Sequence, residues 1–158
     1  MPFLSHKLPS IDDIQDGSIL QGMDLSWRDS STCPTMPEYL KMISNKTGGL
    51  FRITIRLMQL ESTCSRDNIQ LVEILAKLYQ IRDDYKNLRS DVYAQQKGVC
   101  DDTTEGKFSF FIVHNVQVDP DSKVVRNVLQ QKTDDGRIKE SVILCLESTH
   151  SFQYTEEV

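Results

Sequence analysis

The spacing of apolar residues predicts two long helices in the middle of the chain. From Gly49 to Glu61, apolar residues recur mostly at three- and four-residue steps, and Gly48-Gly49 is predicted to mark the entry into this helix. From Asn68 to Leu88 the same spacing continues over a length that suits a core helix. Since this is the period of an amphipathic or largely buried helix, both segments are expected to contribute to a helical core.

Shorter helices are predicted in the last third of the chain. The same spacing predicts them over Ser109 to Val118, Ser122 to Gln131 and Ile138 to Glu147. Asp119-Pro120 and the turn signal Thr133-Asp134-Asp135-Gly136 separate them.

Strand signals are sparse. Phe108 to Val113 is an aromatic and β-branched run that would also suit a strand, but no other run of similar character exists to pair with it. The Ser-, Thr- and Pro-rich segment from Ser26 to Pro37 is predicted to be a loop. We therefore predict an all-α fold.

Length and charge narrow the function classes. With 158 residues and 39% hydrophobic content, the chain is expected to form one domain. Its formal net charge of -5 argues against a general nucleic-acid binder, which would present a basic face. An acidic protein can still bind phosphates if its carboxylates hold magnesium, because the metal inverts the sign of the local field.

The cysteines and the hydropathy indicate a cytoplasmic protein without a membrane span. Cys33, Cys64, Cys100 and Cys145 form no C-x-x-C pair, so neither a zinc site nor a disulfide framework is indicated. The apolar stretch in the first nine residues is too short for a secretory signal, and no run approaches the ~18 apolar residues of a membrane span.

Two carboxylate clusters are the candidate chemistry. The first runs from Asp12 to Asp16, and its Asp12 and Asp16 project from one face if the segment is helical. The second is the run from Asp83 to Asn87, near the end of the second long helix. Magnesium is usually held by one or two carboxylates together with substrate phosphates, so two such clusters on facing helices would make a diphosphate and magnesium site. Each cluster alone is more often a solvated helix face.

Cations are needed on the phosphate side of such a site. Lys46, Lys97 and Lys107 each lie next to a small or turn-forming residue that would let the side chain reach inward. Taken one at a time, each of these lysines is more often a surface residue.

Four ordered strings resemble the motifs of trans-prenyl diphosphate synthases, especially fungal geranylgeranyl diphosphate synthases. They are Ser44 to Arg52 (SNKTGGLFR), Tyr79 to Tyr85 (YQIRDDY), Lys97-Gly98 and Thr104 to Phe110 (TEGKFSF). The resemblance runs nearly unbroken from Gln21 to Tyr154, and Asp12 to Asp16 resembles the family's first aspartate-rich motif. It implies a partial isoprenoid-synthase-type helical bundle, as one incomplete domain over residues 1–158.

The resemblance also implies an activity and a set of site residues. Such enzymes condense isopentenyl diphosphate with an allylic diphosphate in isoprenoid and terpenoid biosynthesis, with Mg²⁺ as cofactor. Carried over residue by residue, the implied catalytic set is Asp12, Asp13, Asp16, Asp83 and Asp84, with Asp12, Asp16 and Asp83 as magnesium ligands. The implied substrate-binding set is Lys46, Thr47, Gln80, Asn87, Lys97 and Lys107, in which Asn87 replaces a final aspartate and keeps an oxygen ligand.

Departures from the family pattern lead us to expect an incomplete domain. Nothing before Asp12 matches the family's Gly-Lys and Arg site for isopentenyl diphosphate, and Gly17 to Leu20 leads directly into Gln21 where the family has an Arg-Arg-Gly and further helices. Pro9 stands where the family has a continuous helix. The alternative to an active synthase is therefore a shortened, non-catalytic homologue that acts as a regulatory or interaction subunit. In either case we expect a homo-oligomer, or a hetero-oligomer with a complete synthase subunit, because a partial bundle leaves apolar helix faces uncovered.

Overall fold

The computed structural model describes residues 22–63, 66–89 and 100–157, and every regular element within them is helical. The predicted all-α class is confirmed. The helices are α1 (residues 22–30), α2 (Met36–Glu61), α3 (Ile69–Arg89), α4 (Asp101–Thr104), α5 (Phe110–Val118), α6 (Val124–Gln131), α7 (Gly136–Ser148) and α8 (Ser151–Glu157).

The helices α3, α5, α6 and α7 were all expected from the apolar spacing, and their observed bounds differ from the predicted ones by two residues or fewer at each end. The last four residues of the run that also suited a strand form the first turn of α5, where Phe110, Phe111, Ile112 and Val113 are at most 1% exposed. This first turn is apolar and buried on all sides, whereas Gln117 and Val118 at the end of α5 are exposed.

The start of α2 was predicted wrongly. The helix begins at Met36 and not at Gly48-Gly49, which lie inside it. Thr35 and Glu38 form a capping box: the Glu38 amide donates to Thr35 Oγ1 at 3.4 Å, and the Thr35 amide donates to Glu38 Oε2 at 2.8 Å. These bonds satisfy backbone groups that a helix start leaves without partners, and Pro37 lies in the first turn, where a proline is tolerated.

The predicted loop from Ser26 to Pro37 is wrong at both ends, because residues 26–30 belong to α1 and Met36 and Pro37 belong to α2. Ser30 Oγ donates to the Ser26 carbonyl at 2.7 Å. The hydroxyl therefore bonds to the backbone one turn earlier in the same helix. Arg28 forms an ion pair with Asp24, one helical turn earlier, at 2.8 Å. Non-helical backbone between α1 and α2 is limited to residues 31–35.

Two compact units can be distinguished along the chain. Among the described residues, one contains residues 22–23 and Leu40–Gln80, and the other contains Asp24–Tyr39 together with residues 81–157. The single domain expected for residues 1–158 remains a prediction.

In the first unit, α2 and α3 pack as an antiparallel pair. Phe51 lies edge-on to Tyr79, with ring centroids 6.1 Å apart. Gly48 brings the two backbones close together, because a Cβ at this position would lie 3.6 Å from Ala76 Cβ and 3.1 Å from Arg52 Nη1. Gly48 therefore serves helix packing and does not mark a helix start.

In the second unit, α5 lies at the centre and packs against α6, α7 and α8. Its polar residues connect it to the end of the chain. Asn115 Nδ2 donates to the Cys145 carbonyl at 3.1 Å and to Thr149 Oγ1 at 2.9 Å. His114 Nδ1 lies 2.9 Å from Ser151 Oγ, and its ring stacks on Tyr154 with centroids 4.1 Å apart. These contacts hold α8 against the central helix.

None of the helices in the described ranges is long and apolar enough to cross a membrane. Cys33, Cys100 and Cys145 are free thiols, whereas Cys64 lies outside the described residues.

Candidate functional site

The first unit brings two of the predicted substrate-binding residues together. Thr47, in the middle of α2, donates a hydrogen bond from Oγ1 to Gln80 Oε1 on α3 at 3.2 Å. Lys46 precedes Thr47 on the same helix and is exposed. The structure therefore places a hydroxyl and a side-chain amide in contact between α2 and α3, with Lys46 at the preceding position of α2.

Buried Arg52 stabilises the same stretch of α2. Its Nη1 donates to the Ser44 carbonyl at 3.0 Å and lies 3.8 Å from Glu73 Oε1 on α3. The guanidinium thus links two turns of α2 to α3, on either side of Thr47 in sequence. Sequence reasoning included Arg52 in a motif string without assigning it this role.

In the second unit, a hydrogen-bond network surrounds Asp84. The side chain of Asp84 is fully buried, and its Oδ2 accepts from the Tyr39 hydroxyl at 2.5 Å and from the Phe110 amide at 3.0 Å. Its Oδ1 accepts from Lys107 Nζ at 3.0 Å. Burial, followed by the charge of Asp84, raises the pKa of Tyr39 well above its usual range, so the tyrosine is a stable donor to the carboxylate.

Lys107 is held by a second carboxylate. Its Nζ donates to Asp102 Oδ2 at 2.8 Å, and its side chain is only 14% exposed. Burial by itself lowers the pKa of Lys107, but the charges of Asp84 and Asp102 outweigh burial and the pKa is raised. For Asp102, burial raises the pKa more than the neighbouring ammonium lowers it. The Lys107 ammonium is thus a desolvated cation between two carboxylates.

The other predicted residues near the end of α3 are arranged differently. Asp83 is partly exposed, unlike its neighbour Asp84. Asn87 links α3 to the start of α4: its Oδ1 accepts from the Asp102 amide at 3.3 Å, and its carbonyl accepts from the Cys100 amide at 3.3 Å. Of these two adjacent carboxylates, Asp83 is therefore the more exposed.

Several predicted residues fall outside the described part of the chain. They are Asp12, Asp13, Asp16 and Lys97. Within residues 22–63, 66–89 and 100–157, no group of three or more His, Cys, Asp or Glu side chains is arranged to hold a metal ion.

Sequence reasoning missed Tyr39 and Asp102. The capping box at Thr35 and Glu38 would have placed Tyr39 in the first turn of a helix, but nothing in the spacing connects it to Asp84, which lies 45 positions later. Asp102 lies five positions before Lys107, with a short helix and a turn between them, and no periodic pattern predicts their contact.

Comparison with known proteins identifies the class to which this helical fold and its motif residues belong. The polyprenyl synthetase family profile matches residues 11–145, and the chain belongs to this family. Every predicted site residue lies within the matched range, and the resemblance seen in the motif strings is confirmed.

The relatives include named fungal enzymes. The chain is 52% identical to a geranylgeranyl pyrophosphate synthase from Aspergillus flavus, over 87% of this chain and 40% of that protein. It is 53% identical to a geranylgeranyl pyrophosphate synthase from Hypoxylon pulicicidum, over 87% of this chain and 36% of that protein. It is 54% identical to one from Penicillium canescens, over 87% of this chain and 41% of that protein. The chain thus spans about two fifths of the length of these relatives.

Proposed function

We propose that this chain carries part of the active site of a geranylgeranyl diphosphate synthase, a prenyltransferase that condenses isopentenyl diphosphate with an allylic diphosphate. The observation that carries the proposal is the identity of 52–54% to proteins of that name over 87% of this chain. The family match over residues 11–145 includes all the motif residues, which supports assigning the same chemistry to them. A cytoplasmic location remains a prediction.

The proposal assigns a role to each group. Lys46, Lys97 and Lys107 bind the allylic diphosphate, and Thr47 and Gln80 line its pocket. The contact between Thr47 and Gln80 supports this assignment for the first unit, and exposed Lys46 precedes Thr47 on the same helix.

The reaction breaks the allylic carbon–oxygen bond, and the electron pair leaves with the diphosphate. The isopentenyl double bond then attacks the allylic carbon to form a new carbon–carbon bond, and loss of a proton restores a double bond. Negative charge grows on the leaving diphosphate, so ammonium groups held in place before the reaction stabilise the transition state more than the ground state. The lysines supply this stabilisation.

Magnesium fits the oxygen chemistry of the proposed ligands. Asp83 is a partly exposed carboxylate on a helix, and Asp12 and Asp16 are the further ligands proposed from the family motif. When bound, Mg²⁺ would neutralise charge on the departing diphosphate.

The activity is tested by incubating the purified chain with Mg²⁺, labelled isopentenyl diphosphate and farnesyl diphosphate, and analysing the products. A magnesium-dependent C20 product that is lost in Asp83→Asn is the expected result. Asp83 is a better site for the control than Asp84, because a partly exposed side chain can be changed with less damage to the fold. A folded chain that forms no C20 product would overturn the proposal of catalysis and favour the non-catalytic alternative.

We further propose that the chain associates with another polypeptide, either a second copy or a complete synthase subunit. In the first unit, Leu50, Met58, Ile74 and Leu78 are 60–70% exposed, and large side chains exposed on this scale are typical of interaction surfaces. Multi-angle light scattering is expected to show a species heavier than one chain. A monodisperse monomer in solution would contradict self-association.

A further inference from the structure

The two aspartates of the Asp83-Asp84 pair differ in their surroundings. Asp84 is 0% exposed, and both of its carboxylate oxygens accept hydrogen bonds from within the protein: Oδ2 from Tyr39 and Phe110, and Oδ1 from Lys107. A magnesium ligand must present an oxygen to an ion that keeps several waters. Asp83, which is partly exposed, can present such an oxygen, whereas Asp84 is enclosed by protein donors.

Asp84 also performs a task at the start of α5. The N-cap residue of this helix is Ser109, and its side chain makes no capping bond. The first amide of the helix, that of Phe110, donates to Asp84 instead. A carboxylate at this position satisfies a buried backbone donor and interacts favourably with the helix dipole. The start of the central helix of the second unit thus depends on a carboxylate from α3.

The same carboxylate and Asp102 fix the position of the Lys107 ammonium. The two oxygens lie 3.0 Å and 2.8 Å from Nζ, and Lys107 is mostly buried. An ammonium group has three N–H donors, and these bonds use two of them. Within the described residues, the third N–H of the ammonium remains to donate to an external acceptor. The two carboxylates set the orientation of the ammonium.

We propose that Asp84 and Asp102 are positioning residues that aim the Lys107 ammonium at the substrate diphosphate, that Tyr39 holds Asp84 in place for this task, and that Asp84 is not a magnesium ligand. This inference rests on the proposed function, since it assumes that a diphosphate binds. It assigns the motif pair two tasks: Asp83 faces the ligand, and Asp84 organises the protein groups behind it.

The role of Asp84 is tested by comparing Asp84→Asn with the matched variant Asp83→Asn in the full chain. The asparagine at position 84 would leave Lys107 short of one carboxylate, and disruption of such a buried charge pair is expected to lower Tm by about 10 °C. Asp83→Asn is expected to change Tm much less and to raise the Mg²⁺ concentration that half-saturates pyrophosphate binding. If Asp84→Asn keeps the wild-type Tm and raises this Mg²⁺ requirement instead, Asp84 is a metal ligand and the inference is overturned.

The role of Asp102 is tested with inorganic pyrophosphate as the probe, using titration calorimetry at saturating Mg²⁺. The sign of the effect separates two explanations. If Asp102 only adds negative charge near the site, Asp102→Asn tightens pyrophosphate binding. If Asp102 aims Lys107, the same variant weakens binding, by about 10- to 150-fold if the charge-assisted contact is lost altogether. Tyr39→Phe, which removes one donor to Asp84, is expected to weaken binding in the same direction.

A double-mutant cycle completes the test. If Asp102 had only a structural role, Asp102→Asn would weaken binding whether or not Lys107 is present. The expected result is that Asp102→Asn causes no further weakening in a Lys107→Ala background. Additive weakening would overturn the positioning role. If the wild-type chain makes the C20 product but Asp102→Asn tightens binding, the inference fails and the proposed function stands. If the wild-type chain binds no pyrophosphate with Mg²⁺, the proposed function and the positioning of Lys107 both fail, and the Tm comparison still decides the role of Asp84.

Discussion

Replacing Gly48 by alanine sets two opposing effects against each other. Glycine in the interior of a helix is less favourable than alanine by about 0.5–1 kcal/mol, so at an open position the change would stabilise α2. At Gly48, however, the new Cβ would lie 3.1 Å from Arg52 Nη1, which is tighter than ordinary contact. Arg52 is 7% exposed and therefore has little room to move.

The loss is expected to exceed the gain. A shift of Arg52 weakens its bond to the Ser44 carbonyl, which is 3.0 Å long, and a hydrogen bond from a charged group contributes about 1.5–3 kcal/mol. After the helix propensity is subtracted, Gly48→Ala should destabilise the chain by about 1–2 kcal/mol, or lower Tm by about 3–6 °C.

Gly136→Ala is the matched control for this measurement. Gly136 is the first residue of α7, and a Cβ there would have no heavy atom within 4 Å. This variant should be stabilised by up to about 1 kcal/mol, because alanine restricts the unfolded chain. Thermal unfolding followed by circular dichroism gives both values. If Gly48→Ala raises Tm as much as the control does, Arg52 can move without a loss of stability, and the argument for close packing at Gly48 is refuted.

Other predictions concern a helix cap, a titrating histidine and the core. Hydrogen bonds from Thr35 lower the pKa of Glu38, so the stability they contribute should be complete above the ordinary pKa of a glutamate and lost as pH falls through the lower folded value. Thr35→Ala should cost about 1 kcal/mol in urea unfolding at neutral pH and flatten this acid dependence, whereas an unchanged pH profile would contradict the capping role. Burial lowers the pKa of His114. The stability of the fold should therefore be complete above the ordinary histidine pKa and fall as pH drops through the lower pKa of the folded state. His114→Gln should remove this loss of stability, and an identical pH profile in the variant would contradict the role of His114. Phe111 is fully buried and packs against the rings of Tyr85 and Phe152. Phe111→Ala should therefore destabilise the chain by about 3–5 kcal/mol in the same urea assay. A loss below about 1 kcal/mol would show that the core at α5 is loosely packed.

The aspartate pair shows where sequence reasoning reaches its limit at the candidate site. The family resemblance implied that Asp83 and Asp84 both belong to the catalytic set. In the structure one is partly exposed and the other is enclosed by Tyr39, Phe110 and Lys107. Adjacent positions on a helix point in different directions, so their roles depend on what packs against each face.

The sequence by itself determined the all-α class, the bounds of α3 and of α5 to α7, the family, and the residue types available for binding a diphosphate. These follow from local information: apolar spacing reports which helix face can be buried, and motif strings report chemistry along the chain. Only the tertiary structure decided that Gly48 of α2 serves packing and that Tyr39 and Asp102 belong with Asp84 and Lys107. Those facts depend on contacts between residues far apart in sequence, and such contacts leave no periodic signal in a single chain.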